Sequence, residues 1–184
     1  MTYVLIVLVI IALVFITYYN RLVKLRQTVR NAWSDIDVQL KRRHDLVPNL
    51  VETVKGYATH ERTTLEAVIA ARSRAAAPHT GAADQAADEN VLVAGLRQLL
   101  AVVERYPELQ ANTHFLDLQR QLVITEDRIQ AARRLYNSNV RDYNRRVESV
   151  PSNLVASSFG FARADYFEVE PAVRAAPPPE VELR

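Results

Sequence analysis

The chain has 184 residues, 23 Lys and Arg against 21 Asp and Glu, no cysteine, 4 glycines and 8 prolines. The lack of cysteine excludes disulfides, thiolate metal sites and cysteine nucleophiles, and so few glycines cannot punctuate a many-stranded sheet or build a Gly-rich phosphate loop. A net charge of +2 is too small to argue nucleic-acid binding on its own, and composition as a whole favours an all-helical protein without a cofactor.

Residues 3 to 19 read YVLIVLVIIALVFITYY, uncharged, with twelve Val, Leu, Ile or Phe among seventeen positions. On an insertion scale these twelve contribute about −4 to −7 kcal/mol together near the bilayer centre. As a helix, residues 2 to 19 span about 27 Å, close to the hydrocarbon thickness. Tyr18 and Tyr19 then fall at an interface, where amphipathic rings are favoured. A cleaved signal peptide needs a basic leader and small residues before the cut, and neither is present, so the segment reads as an uncleaved anchor. Arg21, Lys24, Arg26 and Arg30 follow the span directly. The positive-inside rule then places the N-terminus outside and the main domain in the cytoplasm. These cations either sit near anionic headgroups or form a plain stop-transfer flank.

Behind the anchor, residues 20 to 74 carry 11 basic and 6 acidic side chains, so the positive surplus lies nearest the bilayer. A helical stripe runs through Leu22, Leu25, Val29, Ala32/Trp33, Ile36 and Leu40, with Trp33 expected in the core. No Pro or Gly separates this helix from the anchor. Pro48 interrupts the pattern. It either kinks the helix or marks the start of a new one capped by Asp45. The stripe resumes from Val47 to Ile69, with Gly56 as a weak point worth about 1 kcal/mol against Ala. Residues 75 to 89 lose all large apolar side chains and read as a loop.

A third helix is expected at about 84 to 105, ended or bent by Tyr106-Pro107. Asn112 or Thr113 caps a fourth, whose stripe (Phe115, Leu118, Leu122, Thr125, Ile129, Ala132, Tyr136, Val140, Tyr143, Val147) alternates threes and fours. From 113 to 147 that is about 50 Å of helix, which demands long antiparallel partners. Tyr136-Asn137 recurs seven residues on as Tyr143-Asn144. The two asparagines either fix a coiled-coil register or oligomer state, or flank core tyrosines in solvent. Residues 151 to 167 suggest a short helix and a turn, with the Pro-rich remainder extended.

No catalytic constellation stands out. His60-Glu61 opens like a zinc H-E-x-x-H motif, but Thr64 occupies the place of the second histidine. His44, His79 and His114 are scattered and read as satisfied or solvent-facing. Asp35 and Asp37 point to different helix faces.

Several blocks carry a resemblance. Tyr19-Asn20-Arg21-Leu22-Val23, AWSDIDVQLKRRHDLVPNLVETVKGYATHE (32 to 61), LLAVVERYPELQAN (99 to 112), FLDLQRQLVITEDRIQAARRLYNSNVRDYN (115 to 144) and PSNLVASSFGFARADYFEVE (151 to 170) resemble the LemA family of bacterial membrane proteins. The resemblance implies an all-α chain, a single N-terminal transmembrane helix followed by a bundle of long antiparallel helices, with no established enzymatic activity. It also draws attention to a polar set, Asp37, Gln39, Lys41, Arg42, Arg43, Asp45, Asn49 and Lys55. This set is either a contact face or the packing of a helical hairpin.

The expected organisation is an anchor at 1–20, a helical domain at 21–150 and a C-terminal segment at 151–184. The expected function is a non-enzymatic scaffold of the bacterial inner membrane and cell envelope. Its expected partners are the lipid bilayer, further copies of itself and unidentified envelope proteins, and not nucleic acid. The competing expectation is a ligand-sensing or signal-transmitting module hinged at Pro48 and Gly56.

Overall fold

The computed structural model describes residues 1–170 and Ala172. The expected Pro-rich tail lies outside them. The helices, in order, are α1 (Thr2–Lys55), α2 (Arg62–Ala75), α3 (Ala82–Val103), α4 (Pro107–Gln110), α5 (Thr113–Glu148) and α6 (Ser152–Ser158). Residues 161–170 follow as an extended strap, and no strand occurs among the described residues. The protein is all-α, as its composition suggested.

α1 joins the apolar span to the domain without a break. Every large apolar side chain from Tyr3 to Ile16 is exposed. The described residues leave this sheath exposed, which is the condition of a helix solvated by lipid. The Thr17 hydroxyl donates back to the Leu13 carbonyl at 2.8 Å, so the polar group in this segment is satisfied within its own helix.

The described residues divide into two compact units, one of Met1–Val38 with Ala131–Phe167, the other of Gln39–Gln130 with residues 168–170 and Ala172. In the first unit the stripe residues Leu22, Val29, Ala32 and Ile36 are buried, as are Tyr136, Val140 and Tyr143 of α5 and Val155 and Ala156 of α6. Trp33 packs against Tyr136, with ring centroids 5.3 Å apart. Arg21 meets Arg145 and Arg146 at one cleft. Partners that fall in number on α5 as they rise on α1 define an antiparallel pair.

The second unit is an antiparallel four-helix arrangement. Arg43 of α1 reaches Glu126 of α5, and Tyr57, just beyond α1, reaches Asn112, just before α5. Gln85 of α3 bonds the Ala75 carbonyl of α2, while Gly95 lies so close to Val68 that an added Cβ would sit 3.3 Å from its Cγ2. Small size at Gly95 therefore permits the tight approach of α2 and α3. Leu92, Leu96 and Leu99 of α3 and Leu122 and Ile129 of α5 are buried here.

One open alternative is decided and two local expectations are corrected. Pro48 neither ends α1 nor starts a new helix, since α1 continues to Lys55. A proline removes the N–H that would bond the carbonyl four residues back, here that of His44. Arg72 Nε donates to that carbonyl instead, at 3.1 Å, so a neighbouring helix satisfies the freed acceptor. Second, the expected helix through Gly56 does not form. The Tyr57 and Ala58 amides both bond Val54 O, which closes the last turn, and α2 begins only at Arg62. Third, the loop after Ala75 is short, because residues 82–89 already belong to α3. Their small alanines are good helix formers, and Ala82 and Ala86 are buried.

Asn112 caps α5: its Oδ1 accepts from the Phe115 amide at 2.9 Å, the third helical position. Pro107 occupies the first turn of α4, where its missing N–H costs nothing.

Candidate functional site

The residues expected to carry chemistry fall into three settings. His60 is exposed, and the Glu61 carboxylate is taken by Arg105 at 2.7 Å. They form no pair for hydrolysis. Among the described residues no group of three or more His, Asp or Glu side chains is placed to hold a metal ion.

The basic flank lies in the first unit. Arg21, Lys24 and Arg30 are exposed, while Arg26 is half-buried with its guanidinium 4.7 Å over the Phe161 ring. Arg26 is thus partly a packing residue, held by cation–π attraction.

The polar set at 37 to 55 separates. Asp37, Lys41, Arg42, Asp45, Pro48, Asn49 and Lys55 are exposed. Arg43 is not part of that surface. It is fully buried in the second unit. Its Nη1 donates to Glu126 Oε1 at 2.8 Å and its Nη2 to Glu89 Oε2. His44 Nε2 lies 2.8 Å from Glu89 Oε1, which also accepts from Gln85 Nε2 at 2.9 Å. Glu126 Oε2 accepts from the Ala172 amide at 3.1 Å. One guanidinium therefore bridges two carboxylates from different helices, with every carboxylate oxygen engaged.

Burial pushes the Glu89 carboxyl up, yet the hydrogen bond from His44 and the charges of Arg43 and His44 together hold it below its ordinary 4.5. Burial works against the charged form of Arg43, and the carboxylates of Glu126 and Glu89 overcome it and raise its pKa. The network is structural: nothing in it is exposed for a substrate.

Sequence reasoning missed Glu89 and Glu126, although a signal existed. Arg43 lies between Leu40 and Val47 on one apolar stripe, Glu89 three before Leu92 on another, and Glu126 between Leu122 and Ile129 on a third. Charges of opposite sign on three core stripes mark a buried network.

Asn137 and Asn144 hold the strap of their own chain. Asn144 Nδ2 donates to Ala164 O and its Oδ1 accepts from the Ala164 amide, both at 2.9 Å. Asn137 repeats this on Phe167, at 3.0 and 2.9 Å. The tyrosines interleave: Tyr136 OH donates to Asp165 O and Tyr143 OH to Ala162 O, each at 2.9 Å. Seven helical residues advance about 10.5 Å, and three extended residues about 10 Å. The heptad spacing on α5 thus matches a three-residue spacing on the strap, and the repeat is a ruler for an extended chain. Burial, with the charge of Asp165 adding to it, pushes the Tyr136 phenol up to about 12. Burial also raises Tyr143, though the charges of Arg26 and Arg30 pull the other way. Trp33 closes the site, its ring 5.4 Å from that of Phe167. A third asparagine acts alike in the second unit: Asn90 donates to Glu168 O at 2.9 Å and accepts from the Glu170 amide at 3.1 Å.

An uncovered apolar helix running into long antiparallel helices fits a membrane-associated, all-helical protein. The chain belongs to the LemA family, whose profile matches residues 32–182. It is similar to Magnetosome protein MamQ 2 of Paramagnetospirillum magneticum, 27% identical over 179 residues, covering 84% of this chain and 66% of the relative. It is also similar to Magnetosome protein MamQ of Magnetospirillum gryphiswaldense, at 25% with the same coverage. Protein LemA of Metamycoplasma hominis is 23% identical over 155 residues, covering 84% of this chain and 71% of the relative. The chain spans slightly under two thirds (66%) of the length of the MamQ relatives it matches.

Proposed function

We propose that this chain is a non-enzymatic scaffold of the bacterial cytoplasmic membrane, which self-associates or gathers envelope proteins beside the bilayer. The observation that carries this reading is the unbroken α1. It couples an uncovered apolar span to the helical domain with no loop between them. The internal pairing of Arg43, Glu89, Glu126, Asn137 and Asn144 supports a structural rather than chemical use of the core polar groups. The magnetosome proteins among its relatives are in keeping with a role at membranes.

The proposed orientation has the main domain in the cytoplasm and the N-terminus outside, supported by the positive-inside rule at Arg21, Lys24, Arg26 and Arg30. Alkaline phosphatase fused after Arg30 is then inactive, and an active fusion reverses the orientation. Crosslinking in native membranes followed by mass spectrometry tests the scaffold. The expected result is reproducible crosslinks to further copies or to a small set of envelope proteins. A strictly monomeric protein without specific crosslinks would overturn it.

A further inference from the structure

The corner between α5 and α6, in the first unit, carries apolar side chains that the fold leaves uncovered. Val150, Leu154 and Phe159 are 79%, 57% and 57% exposed, whereas Val155 and Ala156 are buried. α6 is therefore two-faced, with one side in the core and the other bare.

The bare side is continuous with the anchor. The Phe159 ring centroid lies 4.9 Å from that of Tyr19. Phe159 also lines an apolar cleft of about 180 Å³ together with Phe15, Ile16 and Tyr19. Phe15 and Ile16 belong to the uncharged run, about 5–6 Å deeper along the helix than Tyr19. Phe159 is thereby held at the level where the span leaves the hydrocarbon. In the same unit a second cleft, of about 430 Å³, is lined by Arg21, Leu25, Asp142, Arg145, Arg146 and Ser149. Three guanidiniums face it against one carboxylate, so it attracts an anion.

We propose that this corner is a second membrane contact. Val150, Leu154 and Phe159 enter the boundary between headgroups and acyl chains, and the Arg21, Arg145 and Arg146 cleft takes the phosphate of an anionic phospholipid. Apolar residues seated in the interface beside cations over the headgroups are the pattern of a monotopic lipid contact. Lipid is the occupant because the patch adjoins side chains that already lie within the span. The inference rests on that span being in the bilayer. Its consequence is mechanical, since a second contact fixes the rotation of α1 about its axis, which a lone span leaves to its flanking anchors.

The test uses the full chain in vesicles, and the lack of native cysteine allows single-site labelling. Leu154→Cys, Ile10→Cys and Leu135→Cys each carry an environment-sensitive fluorophore, and lipids with shallow and with deep nitroxide labels act as quenchers for the interface and the bilayer centre. All three positions are exposed, so the substitutions leave the core intact. On vesicles containing phosphatidylglycerol, the labels at 10 and 154 are quenched and that at 135 is not. Adding Arg145→Gln and Arg146→Gln lowers the quenching at 154 to its level on purely zwitterionic vesicles. Quenching at 10 but not at 154 would overturn the corner contact alone, whereas no quenching at 10 would remove the anchor beneath it. Blue-shifted emission at 154 without quenching would mean that protein, not lipid, covers the patch. Equal quenching at 154 on both vesicle types would overturn the choice of an anionic surface.

Discussion

The two units solve the same problem with different chemistry. In the first, the polar groups inside are neutral: two asparagines and two tyrosine hydroxyls bonded to the backbone of the strap. In the second they are charged: Arg43 between Glu89 and Glu126. Neutral amide pairs carry a modest desolvation cost and recognise the backbone, so they hold an extended segment whatever its side chains are. A buried ion network has a large desolvation cost and recognises only its own partners, which commits three helices to one arrangement. The first design fastens a strap and the second sets helix pairing.

The largest expected effect breaks the charged core. Arg43→Met leaves Glu126 buried without its cation and Glu89 ion-paired with His44 alone, and lowers stability by about 3–5 kcal/mol, measured by chemical unfolding. Adding Glu89→Gln and Glu126→Gln recovers most of that loss. A single Arg43→Met variant as stable as the parent would show that the network does not hold the helices.

A smaller effect is expected in the neutral clamp. Asn144→Ala or Asn137→Ala strands a backbone amide and a carbonyl of the strap, at about 1–3 kcal/mol each. Hydrogen exchange reads it directly, with faster exchange at the amides of Ala164 and Phe167. Unchanged protection at both would mean that ring packing alone secures the strap.

The pH responses sharpen the contrast further. The folded pKa of Glu89 is depressed, so its contribution is fully present above the ordinary 4.5 and is lost as pH falls through the lowered value. The acid limb of the stability profile is therefore shallower in Glu89→Gln than in the parent. Tyr136 acts at the other end. Its folded pKa is raised from 10.0 to about 12, so its contribution is present below 10.0 and fades as pH rises towards 12. Tyr136→Phe removes this alkaline loss at the cost of one hydrogen bond to Asp165 O. An alkaline limb identical in Tyr136→Phe and the parent would contradict it.

Some of this was legible without coordinates. The span shows because seventeen uncharged residues leave a chain few options. The α5 stripe shows because its spacing of threes and fours survives from Phe115 to Val147, and all but Ala132 and Val147 of its ten positions are buried. The break at residues 56–61 was hidden, since the apolar period continues across it and periodicity is blind to a change of direction between two helices.

The candidate site was legible only in its parts. Tyr136-Asn137 and Tyr143-Asn144 announced themselves as a repeat, but their partner is backbone, and backbone has no sequence signature. Arg43 looked like its exposed neighbour Arg42, because one residue turns a helix by about 100° and moves a side chain from water to core. The sequence by itself determined what is local or periodic: the lipid-facing run, the helical stripes and the cap at Asn112. Tertiary structure alone decided which charges are buried together and which asparagine meets which amide. Those pairings join residues 20 to 83 positions apart, and only packing selects them.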